Sequence, residues 1–202
     1  MRKIIQALLI VSCFIGSLLL SGCFTPKYVE KKQYLFNVSK FALNKKAITR
    51  QHVLLNQITA TSPYDQINFI YRLSDNKYTV DYYNGFVTPP ATQLRQILQN
   101  YFAARNNFYP VIADDLSSKY RIDTDLAECY GDYRNPAQPE AVLAIHMIVI
   151  KQQNLNQILF DKVFRSRVAL QAKTSEQLVA AWDKDLQILL SQISHALAGV
   201  IK

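Results

Sequence analysis

The ten residues from Ala141 to Ile150 constrain the fold more than any other stretch of the chain, because all but His146 are apolar. A strand that is apolar on both faces belongs inside a sheet and is covered on each side. The runs on either side of it are half wet. Ile122, Thr124 and Leu126 alternate with Asp123 and Asp125, and Ile158, Phe160, Phe164, Val168 and Leu170 are interspersed with Asp161, Arg165 and Arg167. Period-2 patterns of this kind mark strands with one solvated face. Gly131 to Pro139, with two proline turns, and Gln152 to Asn156 supply the connections.

Shorter strand signals come earlier. Tyr34 to Val38 is short and aromatic, and His52 to Ile58 is rich in leucine and β-branched residues. Ile67, Phe69, Tyr71 and Leu73 alternate with Asn68, Ile70 and Arg72 and, across Ser74 to Lys77, face the alternating Tyr78, Val80 and Tyr82, which predicts a hairpin. Thr88-Pro89-Pro90 predicts a helix start, with Thr88 as N-cap and Pro89 at the first helical position. Leu94, Ile97, Leu98, Tyr101 and Phe102 then fall on one helical face, and Asn106-Asn107 ends the helix. A second helix opens on the capping-box pattern Thr174 to Gln177, and its apolar stripe runs through Leu178, Ala181, Trp182, Leu186, Leu189, Ile193, Leu197 and Val200. About seven strands and two amphipathic helices define an α+β fold. The predicted architecture is a two-layer sandwich, a mainly antiparallel sheet with both helices packed on one face.

The N-terminus says where such a domain is held. Arg2 and Lys3 precede an apolar run from Ile4 to Leu20, which ends in Leu20-Ser21-Gly22-Cys23. That is the layout of a secretory signal, and its last four residues read as a lipobox: cleavage between Gly22 and Cys23, then acylation of the Cys23 thiol. Two other readings of the same residues stand beside it. The run is near the roughly 17 to 25 residues of a bilayer crossing, although Ser12, Gly16, Ser17, Ser21 and Gly22 dilute it. Alternatively, general signal peptidase cuts here and Cys23 is incidental. On the lipobox reading, residues 1–22 are signal peptide, 23–33 a lipidated tether and 34–202 a single domain.

The leader carries two of the 23 basic residues and no acid, so the mature chain keeps 21 against 15, a net of +6. That charge is spread out, and no nucleic-acid partner is expected from it. Its densest part, Lys27 to Lys46, follows the lipidation site and suits either anionic head groups or a soluble linker. Once Cys13 leaves with the signal and Cys23 is acylated, Cys129 is the one remaining thiol. The fold then rests on its core without an internal disulfide, and Cys129 among Leu126, Ala127 and Tyr130 reads as a small buried apolar residue.

The catalytic inventory is sparse. The chain has five glycines, no phosphate-cradling loop, no nucleophile elbow and no H-E-x-x-H pattern. His52, His146 and His195 are isolated, with His146 expected as a hydrogen-bonded core residue, and neither a metal site nor a cofactor is expected beyond the covalent diacylglycerol and N-acyl lipid on Cys23. Asp114-Asp115 and Asp123-x-Asp125 are the carboxylate clusters, and a solvated face accounts for the second. Tyr82, Tyr83, Phe86, Tyr101, Phe102, Phe108 and Tyr109 crowd around the first helix. Packing in the core accounts for rings of this kind, and exposure on a partner or lipid surface is the other reading. No enzymatic activity is expected.

The segment Tyr78 to Pro90, Tyr-Thr-Val-Asp-Tyr-Tyr-Asn-Gly-Phe-Val-Thr-Pro-Pro, followed by the helix near Leu94, resembles the ABC-type transport auxiliary lipoproteins. These are the lipoprotein subunits of Pqi-type and related MCE lipid transport systems. Tyr82-Tyr83, Phe86 and Pro89-Pro90 match the family's tyrosine-rich strand, aromatic residue and proline step, whereas its common tryptophan before that step is replaced by Asn84-Gly85-Phe86. The resemblance implies a membrane-anchored accessory whose partners are an MCE-domain protein, an ABC permease and ATPase, or a second copy of itself. It makes Tyr82, Tyr83, Phe86, Pro89 and Pro90 the candidate partner or lipid surface. Phe24, where enterobacterial sorting would place Asp for inner-membrane retention, favours the outer membrane with the domain facing the periplasm. A structural lipoprotein of another envelope assembly, for lipopolysaccharide export, secretion or a pilus, is the alternative; a lipid-anchored hydrolase would need a nucleophile and base that the sequence does not display.

Overall fold

The computed structural model describes residues 29–38, 51–105, 108–111, 118–152 and 157–201. Its strands are β1 (Lys32–Tyr34), β2 (His52–Ala60), β3 (Asn68–Arg72), β4 (Tyr78–Phe86), β5 (Tyr109–Val111), β6 (Tyr120–Asp132), β7 (Glu140–Lys151) and β8 (Gln157–Ala169). Among the described residues two helices, α1 (Pro90–Arg105) and α2 (Ser175–Ala198), accompany these strands in an α+β domain. The apolar decapeptide lies within β7, between β6 and β8 as its pattern requires.

β6 organises the sheet. One edge pairs antiparallel with β7 from Tyr120↔Lys151 to Asp132↔Glu140. The other edge is shared: β2 runs parallel along its first half, and β3 runs parallel to its last two residues. β5 extends β2, the predicted β3–β4 hairpin forms, and β1 adds to β4 in parallel. The long β6–β7 and β7–β8 pairings are antiparallel, yet four of the seven pairings are parallel, so the sheet is mixed. A parallel neighbour needs a crossover of a dozen or more residues. The segment carrying α1 between β4 and β5 provides it for both β2 and β3.

On the helix side, the register aligns Leu126, Ile145 and Phe164 in one row and Ile122, Val149 and Phe160 in another. Leu178, Trp182, Leu186, Leu189 and Ile193 of α2 cover the β7–β8 part of this side, and Leu94, Leu98, Tyr101 and Phe102 of α1 the β2–β5 part, all in one buried cluster. Trp182 is fully buried, packs edge-on to Phe69 at 5.1 Å, and donates its indole N–H to the Val142 carbonyl at 3.3 Å. The Thr174 hydroxyl caps α2 by accepting from the Gln177 amide at 3.2 Å. Cys129 is a free, buried thiol, as its setting predicts, and burial pushes its pKa up.

The second side of β7 is covered by ion pairs. A bulge at Ala127 turns Glu128 to this side, in register with Ala144 and Arg165. The Arg165 guanidinium donates to Glu128 at 2.7 and 2.9 Å across the middle strand, and Ala144 beneath the pair is 0% exposed. One row along, Val142 is equally buried between Tyr130 and Arg167, and Arg167 donates to Asp132 at 3.1 Å and Glu140 at 3.0 Å. Small apolar residues at the centre of the face are closed over by long charged neighbours whose stems are themselves apolar.

Three local expectations are corrected. The strand expected over 34–38 is instead β1, which starts two residues inside the expected tether and ends at Tyr34. Beyond it the Phe36 and Asn37 amides donate to the Gln93 and Asp183 side chains, both at 2.8 Å, so this stretch has no use for a ladder. Helix α1 begins one residue late, with Pro90 rather than Pro89 at the first helical position, because the Pro89 carbonyl accepts its opening bonds from Thr92 and Gln93. His146 is not in the core. It lies on the charged face and meets Asp161 at 2.6 Å.

Candidate functional site: a braced pair of tyrosines

The hairpin is irregular where the aromatic cluster falls. Its register runs from Ile70↔Val80 to Asn68↔Gly85, so β4 uses five residues where β3 uses two. The excess, from Asp81 to Asn84, is pushed outward as a wide bulge, which bends a strand and re-aims its side chains. Asp81 closes the bulge. Its carboxylate accepts from the Tyr83 amide (2.8 Å), the Asn84 amide (3.0 Å), the Asn84 side chain (2.9 Å) and the Tyr71 hydroxyl (2.8 Å). Its carbonyl accepts from the Asn68 side chain at 2.6 Å. Burial alone would raise the Asp81 pKa, but these donors outweigh it and hold the carboxyl below its usual range. Tyr71 moves the other way, its hydroxyl pushed up by burial and by the bond to Asp81.

The bulge presents Tyr82 and Tyr83 to solvent, 66% and 44% exposed, with ring centroids 5.1 Å apart and planes nearly perpendicular. The Lys31 ammonium sits 3.9 Å above the Tyr82 ring, a cation–π geometry. Behind the bulge the chain turns sharply inward. Gly85 lies so close to β3 that a Cβ there would stand 2.7 Å from the Ile67 carbonyl oxygen. Phe86 is 2% exposed, 4.9 Å from both Phe36 and Phe69.

β1 pairs beside this ledge, Lys32 with Asn84, Gln33 with Gly85 and Tyr34 with Phe86. It is tied to α2 as well, since Lys32 and the Tyr34 hydroxyl both donate to Glu176, at 3.0 and 2.9 Å. The helix-start amide, Lys32 and Tyr34 lower the Glu176 pKa to about 2. Beyond the pairing, Leu35 and Val87 are exposed.

The five residues proposed for a surface therefore divide. Tyr82, Tyr83 and Pro89 are exposed, whereas Phe86 and Pro90 are buried and cannot meet a partner. Phe86 is turned inward beneath Trp182, and Pro90 is held in the first turn of α1. Gly22, Cys23 and Asp114-Asp115 lie outside the described residues. Among the described residues, no helix is long and apolar enough to cross a membrane, and no group of three or more His, Cys, Asp or Glu is placed to hold a metal ion.

Two further features escaped the sequence reading. An open polar cleft of about 440 Å³ is lined by Asp75, Asp132, Arg134, Asn135, Gln138, Glu140 and Arg167. Its charges are already matched: Arg134 meets Asp132 at 2.8 Å and Asp75 at 2.9 Å, and the Arg134 and Arg167 guanidinium groups hold the Asp132 pKa down at about 2. The second is Asp185, fully buried on the inner face of α2 with no hydrogen bond to either carboxylate oxygen. Desolvation raises its pKa from 3.8 to about 7, with Ser166 and Arg167 opposing and Glu140 adding to the rise. Its position three residues after Trp182, on the apolar stripe, was the available signal.

Fold and surface together define a class, a mixed-sheet α+β domain with two helices on one side and an aromatic bulge on its β1–β4 edge. The sequence profile of the ABC-type transport auxiliary lipoprotein component matches residues 34–194, and the chain belongs to that family. The fold is similar to the crystal structure of protein XCC0632 from Xanthomonas campestris, at a TM-score of 0.72 and 15% identity, covering 83% of this chain and 96% of that one. A hypothetical protein from Chlamydia trachomatis shares it more distantly, at a TM-score of 0.53 and 6% identity, covering 75% of this chain and 98% of that one. No curated protein sequence matches the chain.

Proposed function

We propose that this auxiliary lipoprotein is a non-enzymatic outer-membrane component of an MCE-type lipid transport system, facing the periplasm and anchored by acyl chains on Cys23. The observation that carries the reading is the family match over residues 34–194, placed behind the lipobox Leu20-Ser21-Gly22-Cys23. Phe24 supports release from the inner membrane. The partners are an MCE-domain protein and, through it, an ABC permease and ATPase. A tagged full-length protein at native expression should co-purify with an MCE-domain protein and fractionate with the outer membrane. Recovery of a free monomer, with unchanged envelope lipid distribution after deletion, would refute the transport role. For the anchor, Cys23→Ala should abolish palmitate labelling and leave an uncleaved precursor or an unacylated chain.

A further inference from the structure

We propose that the Tyr82–Tyr83 ledge is a membrane-seating surface, resting on the phospholipid head groups of the bilayer that holds the acyl anchor. The proposal rests on the reading of Cys23 as acylated. It commits to lipid because of where the chain meets the domain. Lys31 lies eight positions beyond Cys23, and even a fully extended chain of eight steps spans at most about 29 Å. Lys31 is the residue that stands 3.9 Å over the Tyr82 ring, and Lys32 pairs with Asn84 at the end of the bulge. The tether therefore ends on the ledge, and any bilayer carrying the anchor lies within its short reach.

The chemistry of the ledge fits that surface. Tyrosine is favoured at membrane interfaces, where an apolar ring meets the acyl boundary and a hydroxyl stays among head groups. An exposed lysine beside it suits anionic phosphate. Lys32 is engaged by Glu176, which leaves the Lys31 ammonium as the cation at the rings. The brace on Asp81 adds a further argument. Its carboxylate accepts four hydrogen bonds to keep two large rings in water, with Phe86 beside them sent into the core. A fixed, exposed aromatic pair is an arrangement suited to contact rather than to packing within the domain.

The test uses the full acylated chain in vesicles of phosphatidylethanolamine and phosphatidylglycerol. A Tyr82→Cys variant and a Val163→Cys control, exposed on β8, each carry an environment-sensitive fluorophore; buried Cys129 and acylated Cys23 do not compete for the label. Near-ultraviolet circular dichroism checks that both variants fold. The label at 82 should be blue-shifted on vesicles and quenched at least about twofold more than the label at 163 by spin-labelled lipid. Equal quenching at the two sites overturns the proposal. So does shielding at 82 that needs an added transport partner, which assigns the ledge to a protein, or shielding in detergent that scales with protein concentration, which assigns it to a second copy. Mass analysis of the N-terminal peptide and vesicle flotation read the anchor separately. An acylated, floating chain with a wet label sinks the ledge alone, whereas an unacylated chain sinks the anchor reading and with it the proposal.

Discussion

Replacing Asp185 with Asn should make the domain more stable at pH 8 and leave it nearly unchanged at pH 4. The Asp185 carboxyl is fully buried between α2 and the sheet, without a hydrogen bond to either oxygen, and its pKa is raised from 3.8 to about 7. A folded-state pKa above the unfolded one gives stability that is complete below about pH 4 and is lost as pH rises to about 7. Each pH unit of separation is worth about 1.4 kcal/mol, so the loss approaches about 4 kcal/mol above neutrality. Asparagine resembles the protonated acid in size and polarity but does not ionise, so the variant keeps what the wild type loses. Carboxylates with lowered pKa values, Asp132 and Glu176 among them, give the opposite trend, and they cancel in the difference between the two proteins. Urea unfolding from pH 4 to 8.5, followed by the single Trp182, provides the measurement. For a domain of this size about 4 kcal/mol corresponds to roughly 8 to 16 °C in Tm. A difference between variant and wild type that stays constant across the range would refute the argument.

Other perturbations separate the remaining elements. Gly85→Ala forces a Cβ to within 2.7 Å of the Ile67 backbone oxygen; it should cost about 1 to 3 kcal/mol in urea unfolding, since backbone offers little relief from overpacking. Asp81→Ala removes the acceptor of four hydrogen bonds; amide hydrogen exchange at Tyr83 and Asn84 should accelerate at least tenfold while that in β7 stays unchanged. Arg165→Ala uncovers Ala144 but breaks a half-exposed ion pair; a loss of about 0.5 to 1 kcal/mol is expected, reduced at high salt.

Much of the fold is legible because alternation and helical stripes are local. β6, β8, the hairpin and both helices are each announced by a period of 2 or 3.6, and β7 by an unbroken apolar run. Strand direction was not, since an alternating run reads the same whether its neighbour is parallel or antiparallel. The parallel additions of β2 and β3 to β6 became visible only once the α1 crossover was placed. Cover on both sides of β7 was legible, but its nature was not. Arg165 and Glu128 are 37 residues apart, and their meeting over Ala144 depends on the bulge at Ala127. The candidate site is half legible: the sequence marks the tyrosines, but it does not separate Phe86 and Pro90 from them, because the bulge that divides outward from inward residues has no periodic signature.

Asp81 and Asp185 show where sequence reading stops. Both are aspartates on elements with buried apolar residues, and at each desolvation acts to raise the pKa. At Asp81 the chain folds four donors onto the carboxylate, so ionisation is favoured and the charge becomes the keystone of an exposed bulge. At Asp185 the helix carries the carboxyl into a buried site where nearby Ser166 and Arg167 fall short of offsetting desolvation, so the neutral acid is favoured. The deciding quantity is the number of donors the tertiary structure delivers, which residue type and spacing do not encode. Asn in place of Asp81 should accordingly weaken the domain at neutral pH, the opposite sign to the same change at Asp185. If both changes moved stability in the same direction at pH 8, hydrogen bonding would not be what distinguishes the two sites.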